Sequence, residues 1–227
     1  MKISLILTEV MVIVNLRKGE RFTLRKELNL NKIVVQFTWI SDVDLDASAF
    51  LVGEEGCILD DADFVFYNSR HRCDPKTHED VPYSFWKFGS RIKWQNVTIP
   101  YSSDGSVIGS AYYLSDYINT KYESGGGTLL VILDKVKSEI REINFCIAIY
   151  HGNEGRNSFS SVYEPAISIC KEESGEELCS YQLKEMFTSE TAVVVAKLVL
   201  TSNGEWEFEA LGDGYKGGMQ TLIDLYA

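Results

Sequence analysis

Asp42, Asp44 and Asp46 occupy alternate positions in the stretch Asp42-Val43-Asp44-Leu45-Asp46-Ala47-Ser48-Ala49-Phe50-Leu51-Val52. On a β-strand, alternation puts Val43, Leu45, Ala47, Ala49 and Leu51 on one face and the three carboxylates on the other. Carboxylates spaced about 6.6 Å apart along a strand repel by roughly 2.5 kcal/mol per neighbouring pair at an effective dielectric near 20. A hard divalent cation converts that repulsion into binding, and Ca2+, with its preference for many oxygen ligands, suits such a row best. A solvated strand end is the competing reading of the same residues. An EF-hand is excluded, because the positions that would need the turn glycine and the bidentate glutamate hold Ala47 and Gly53.

A second acidic stretch, Asp61-Ala62-Asp63-Phe64-Val65-Phe66-Tyr67-Asn68, reads as another strand with Asp61, Asp63, Val65 and Tyr67 on one face. Other chemistry is poorly supported. His71, Cys73 and His78 match no standard zinc spacing and offer only three ligands. The three histidines, His71, His78 and His151, lie in segments without a nucleophile motif, and no P-loop or dinucleotide fingerprint occurs, so no enzyme is expected. The five cysteines include no CxxC pair, and their odd number does not suit a complete disulfide framework; reduced thiols in a cytoplasmic protein are expected.

The elements that must position the acids are mostly strands. The chain has 227 residues, and an apolar fraction of 45% supports a globular protein with a sizeable core. A formal charge of -11 argues against a nucleic-acid backbone as partner. Apolar residues between Ile3 and Val14 are interrupted by Glu9, which speaks against a signal peptide or membrane insertion and for an N-terminal strand or hairpin. Strands are expected over Ile33 to Trp39, Ser106 to Tyr113, Leu129 to Leu133 and Asn144 to Tyr150. Ser115 to Gly127 reads as a polar, glycine-rich loop and Lys135 to Glu142 as a helical turn. Ser202-Asn203-Gly204 marks a hairpin between Thr191–Leu200 and Glu205–Leu211, and Met219, Leu222, Ile223 and Tyr226 recur at helical spacing.

A weak internal repeat is also visible. Phe37 to Trp39 followed by Ala47 to Val52 is echoed by Phe145 to Tyr150 followed by Ala166 to Cys170, and two such halves would pack face to face. The expected fold is therefore mostly β, a two-sheet β-sandwich with short peripheral helices. Residues of about 69–102 differ in character, with Tyr83, Phe85, Trp86, Phe88 and Trp94, and read as an inserted hairpin or loop.

The quoted stretches resemble the tellurium-resistance TerD family, as do Asp104-Gly105-Ser106-Val107, Asn203-Gly204-Glu205-Trp206 and Gly214-Tyr215-Lys216-Gly217-Gly218. The resemblance covers nearly the whole chain outside about 69–102, as one domain over residues 1–227. It implies a non-enzymatic, cytoplasmic, calcium-binding stress-response protein, with Asp42, Asp44, Asp46, Asp61, Asp63, Asn68, Asp116 and Glu123 as metal ligands or groups behind them. Family members gather calcium with a later acidic loop, matched here by Ser115 to Gly127, where Gly125-Gly126-Gly127 replaces an acidic triplet and Lys121 adds positive charge. His151-Gly152-Asn153 likewise lacks a carboxylate that relatives often carry. One or two ions of reduced affinity are the expectation. The alternative is an interaction module that has lost part or all of its calcium and binds a partner through the insertion. Other stress-response or membrane-associated proteins are the expected partners, with no nucleic acid.

Overall fold

In chain order the strands are β1 (Val14–Leu16), β2 (Arg21–Leu24), β3 (Lys32–Ser41), β4 (Leu45–Val52), β5 (Phe64–Val65), β6 (Arg72–Cys73), β7 (Ser84–Lys87), β8 (Ser90–Lys93), β9 (Ile99–Pro100), β10 (Val107–Tyr112), β11 (Glu123–Ile132), β12 (Glu142–Ile149), β13 (Val162–Lys171), β14 (Glu177–Gln182), β15 (Ala192–Leu200) and β16 (Trp206–Tyr215). One helix, α1 (Met219–Tyr226), follows them. The computed structural model describes residues 13–24, 30–74, 84–87, 90–93, 98–112, 123–152, 157–185 and 187–227. The N-terminal residues before Ile13, His78 and the segment around Asp116 lie outside these.

Two six-stranded sheets carry the fold, in the orders β1-β14-β13-β3-β11-β10 and β2-β16-β15-β12-β4-β5. Alternation along β3 and β4 explains the layering. Ile33, Val35, Phe37 and Trp39 of β3 meet Leu45, Ala47, Ala49 and Leu51 of β4 in the core between the sheets. The other face of β4 is not solvated, because Phe50 and Val52 join Phe64, Cys146 and Val194 beneath α1. Met219, Leu222, Ile223 and Tyr226 form the stripe that α1 lays on this face; fully burying a side chain such as Leu222 is worth about 1.5–3 kcal/mol. On the outer face of the first sheet, Val34, Ile108 and Leu130 are covered by Cys73 and Ile99 of the β6–β9 pair.

The repeat assembles differently from two stacked halves. β3 pairs antiparallel with β13 (Phe37 opposite Ile167), and β4 pairs antiparallel with β12 (Ala47 opposite Ile147). Each copy of the repeat thus places one strand in either sheet, and the two central pairings join different copies. A single copy crosses between sheets, from β3 to β4 in the first and from β12 to β13 in the second, so neither copy can close a sheet by itself.

Three local readings need correction. Asp42 and Val43 lie in a bend and Asp44 precedes the strand, so the three aspartates do not share one strand face. The Ser41 hydroxyl accepts from the Val43 N–H at 3.0 Å and turns the chain there. Asp61–Asp63 is a 3-10 turn: Asp60 caps it by accepting from the Ala62 N–H, and this rotation exposes Asp61 while burying Asp63. Gly125-Gly126-Gly127 belongs to β11 and not to a loop, paired with Trp39, Thr38 and Phe37 of β3. A Cβ on Gly125 would overlap Trp39 Nε1, so the glycine gives the indole room to lie across the neighbouring strand.

Candidate functional site

The turn between β3 and β4 and the end of β12 meet at one corner of the second sheet. Asp46 lies opposite Ala148, and the Tyr150 N–H donates to the Asp44 carbonyl at 2.9 Å, which closes the corner. Asp42 and Asp44 are exposed and Asp46 is half-buried. Burial and, after it, the charge of Asp44 push the Asp46 carboxyl up to about 7. Two acids are thus held together where water can screen only one of them well.

A row of aromatic rings runs into this corner from beneath the helix. Tyr226 packs on Phe50 (4.9 Å between ring centres), Phe50 stacks on Phe64 and Phe64 on Phe66 (4.3 Å each). The row continues edge to face through Tyr67 (5.6 Å), Tyr150 (6.4 Å) and His151 (4.1 Å). Such offset and perpendicular contacts suit the ring quadrupole and fix the two tyrosines relative to Asp46. The Tyr67 hydroxyl is held above its usual range by burial first, then by the Asp46 charge and by the neighbouring Tyr150. His151 has a left-handed backbone (φ 54°) at the tip of the turn.

Opposite these rings lies the start of α1. Thr191 Oγ1 accepts from the N–H groups of Gly217 (3.1 Å) and Gly218 (2.9 Å), and this bond sets the chain's entry into the helix. Gly217 and Gly218 both have positive φ, at 103° and 64°, where a side chain would be strained. Asp46, Phe66, Tyr67, Tyr150, His151 and the Gly217–Gln220 segment line an open cavity of about 250 Å³.

The other expected ligands are not all gathered here. Asp63 precedes Phe64, which faces Phe50, four residues along β4 from Asp46; that is about 13 Å of strand. Asp63 Oδ1 accepts from the Ser103 hydroxyl at 2.6 Å, and the Lys137 ammonium donates to the same hydroxyl at 2.6 Å. Burial raises the Asp63 carboxyl, while Ser103 and Lys137 oppose the rise. Its Oδ2 is buried without a hydrogen-bond partner. A divalent ion would have to sit beside the Lys137 charge, so Asp63 fits calcium poorly. Asp104, in the same turn, is held below its usual range because hydrogen bonds from Ser102, Ser106 and the Lys137 N–H outweigh its burial. This second acidic group is a brace for the Ser102–Ser106 turn.

Asp61 and Asn68 are exposed. Asp116 lies outside the described residues. Glu123 opens β11 opposite Ser41, which brings its backbone to the residue that precedes Asp42. Among the described residues no group of three or more His, Cys, Asp or Glu side chains converges to hold a metal. Asp44 and Asp46 fit a hard cation by their crowding, with Asp42 and the Glu123 backbone beside them. The sequence does not mark Tyr67 and Tyr150 as site residues, because Tyr67 carries only a strand-face signal and Tyr150 follows β12, far along the chain.

No helix among the described residues is long and apolar enough to cross a membrane. The family model described as the TerD domain matches residues 11–80 and 99–226. A tellurium resistance protein TerD of Serratia marcescens is 30% identical over 220 residues, covering 94% of this chain and 96% of that protein. General stress protein 16U of Bacillus subtilis (strain 168) is 29% identical over 221 residues, with 94% and 96% covered. Among solved structures, a homologue of the telluride resistance protein TerD from Streptomyces coelicolor A3(2) aligns with a TM-score of 0.49 at 15% identity, covering 86% of this chain and 95% of that one.

Proposed function

The chain belongs to the TerD domain family, and from that premise we propose that it is a non-enzymatic stress-response protein of the tellurium-resistance type that binds one Ca2+ at the Asp44–Asp46 corner. The relatives named for tellurium resistance and general stress support the broad role. One observation supports the ion: Asp46 is raised to about 7 by its burial and by Asp44, a cost that a divalent cation would remove. Asp44 and Asp46 would hold the ion, with Asp42, Glu123 and Asp116 as further donors. The bound charge would tie the β3–β4 turn to the start of β11, and the role is one of binding in the cytoplasm rather than of catalysis.

Calorimetric titration of the full chain with Ca2+ is expected to show a saturable one-to-one event, weakened at least tenfold by Asp44→Asn, while Asp63→Asn leaves the affinity within about twofold. Absence of heat together with an unchanged melting temperature in millimolar Ca2+ would defeat the reading. An equal loss in Asp63→Asn would return the site to the Ser103–Lys137 turn.

A second reading concerns the insertion. The family match stops at residue 80 and resumes at 99, and β7 and β8, which pair antiparallel, fall in the gap. This hairpin is extra to the family pattern and is a candidate surface for other stress-response or membrane-associated proteins. Cys73 pairs with Ile99, so a short Gly-Ser turn from Asp74 to Thr98 can replace residues 75–97. The shortened protein is expected to melt within a few degrees of the parent and to lose a partner that co-purifies with it. Global unfolding of the shortened chain would show the segment to be part of the core.

A further inference from the structure

The acidic corner carries more than carboxylates. Phe66, Tyr67 and Tyr150 supply aromatic walls to the cavity beside Asp46, and Ile149 supplies an aliphatic one. Tyr67 and Tyr150 are 40% and 45% exposed although every ring before them in the row is at least partly buried, so their faces are open to a solute. A hydrated metal ion gains little from such walls. An alkylammonium ion gains from both features, because its positive charge is spread over weakly hydrated C–H groups that attract ring faces and still answers to a carboxylate.

We propose that this cavity is a binding site for a small organic ammonium ion, with Tyr67, Tyr150 and Phe66 receiving the alkyl groups and Asp46 balancing the charge. The volume of about 250 Å³ suits a head group with a few carbon atoms and not a large ligand. The edge-to-face contact between Tyr67 and Tyr150 holds the walls in place before any ligand arrives. Such preformed walls lessen the ordering cost of binding. Ser48 Oγ, donating to the Met219 sulfur at 3.9 Å, links the same face of β4 to the start of α1. The proposal shares Asp46 with the calcium reading and does not rest on it. Where both hold, Ca2+ and the ammonium ion compete.

The test is an isothermal and NMR titration of the full chain with choline chloride in EDTA, at ionic strength kept constant with NaCl. Saturable binding in the millimolar range is expected, with shifts confined to residues around the cavity. Its uncharged carbon isostere, 3,3-dimethyl-1-butanol, is expected to bind at least tenfold more weakly. Tyr150→Leu keeps apolar bulk but removes the ring face and is expected to weaken choline at least tenfold; Tyr67→Leu should do the same. In both variants Ca2+ titration and the melting temperature are expected to stay near the parent's, which separates this inference from the calcium reading. No saturable choline binding, equal affinity for the butanol, or unchanged binding in both tyrosine variants would overturn it. Choline binding that persists when Ca2+ produces no heat would leave this inference standing and the calcium reading defeated.

Discussion

Replacing Gly125 with alanine is expected to destabilise the protein by about 3 kcal/mol, although the same change in an ordinary strand would favour folding by about 0.5–1 kcal/mol. The reversal comes from Trp39. Its Nε1 atom would overlap the new methyl carbon, and Cε2 and Cδ1 would lie 2.7 and 2.8 Å from it. β3 pairs with Gly125 directly and β10 pairs with the adjoining Gly126, so the backbone has little room to retreat. The indole must move instead, and Trp39 is only 6% exposed within the main core. A lower urea midpoint and altered tryptophan fluorescence would report the displacement. The decisive comparison is made in a Trp39→Leu background, where the added Gly125→Ala change should cost little or nothing. Simple additivity of the two changes would show that the clash is not the cause.

The second large effect is expected from Asp46→Asn, and its sign depends on the cation. In the folded chain burial and the Asp44 charge push the Asp46 carboxyl up to about 7 from its ordinary 3.8. The native state therefore holds a proton more tightly than the unfolded state between those values. In EDTA the stability from this residue is fully present below about pH 4 and is lost as pH rises toward 7, with no further change above. Asparagine removes the term. At pH 8 in EDTA the variant should exceed the parent by about 1–2 kcal/mol, allowing for solvent screening of a half-buried group. In saturating Ca2+ the order should invert, since only the parent gains from the ion. Denaturation curves at pH 5 and pH 8, with and without Ca2+, provide the measurement. A variant less stable than the parent at pH 8 in EDTA would mean that the ionised Asp46 has a stabilising partner after all.

Much of this arrangement is legible in the sequence itself. Alternation along Leu45 to Leu51 assigned the core face of β4 correctly, and the spacing of Met219, Leu222, Ile223 and Tyr226 identified α1. These signals are local and periodic. Gly125-Gly126-Gly127 misled because glycine marks loops by default, and its strand role depends on an indole from another strand. Asp61 and Asp63 were given a common face because Asp60 was not recognised as a cap. The clustering of Asp46 with Tyr67 and Tyr150 needs three segments brought together by strand pairing, and no spacing along the sequence encodes that. The repeat was visible, but its hydrogen-bonding partners were not.

The crossed pairing of the repeat has a consequence for how the chain can come into being. The β3–β13 and β4–β12 contacts are made by residues roughly 120–140 positions apart for the former and about 90–105 for the latter. A break between Leu133 and Arg141 would give two fragments, each with a raw hydrogen-bonding margin in both layers and an oily inner surface without a cover. Neither fragment holds a complete sheet, yet the margins match each other strand for strand. The single polypeptide is thus the tethered equivalent of an intertwined dimer, in which the tether supplies the local concentration that two free pieces would have to find by diffusion.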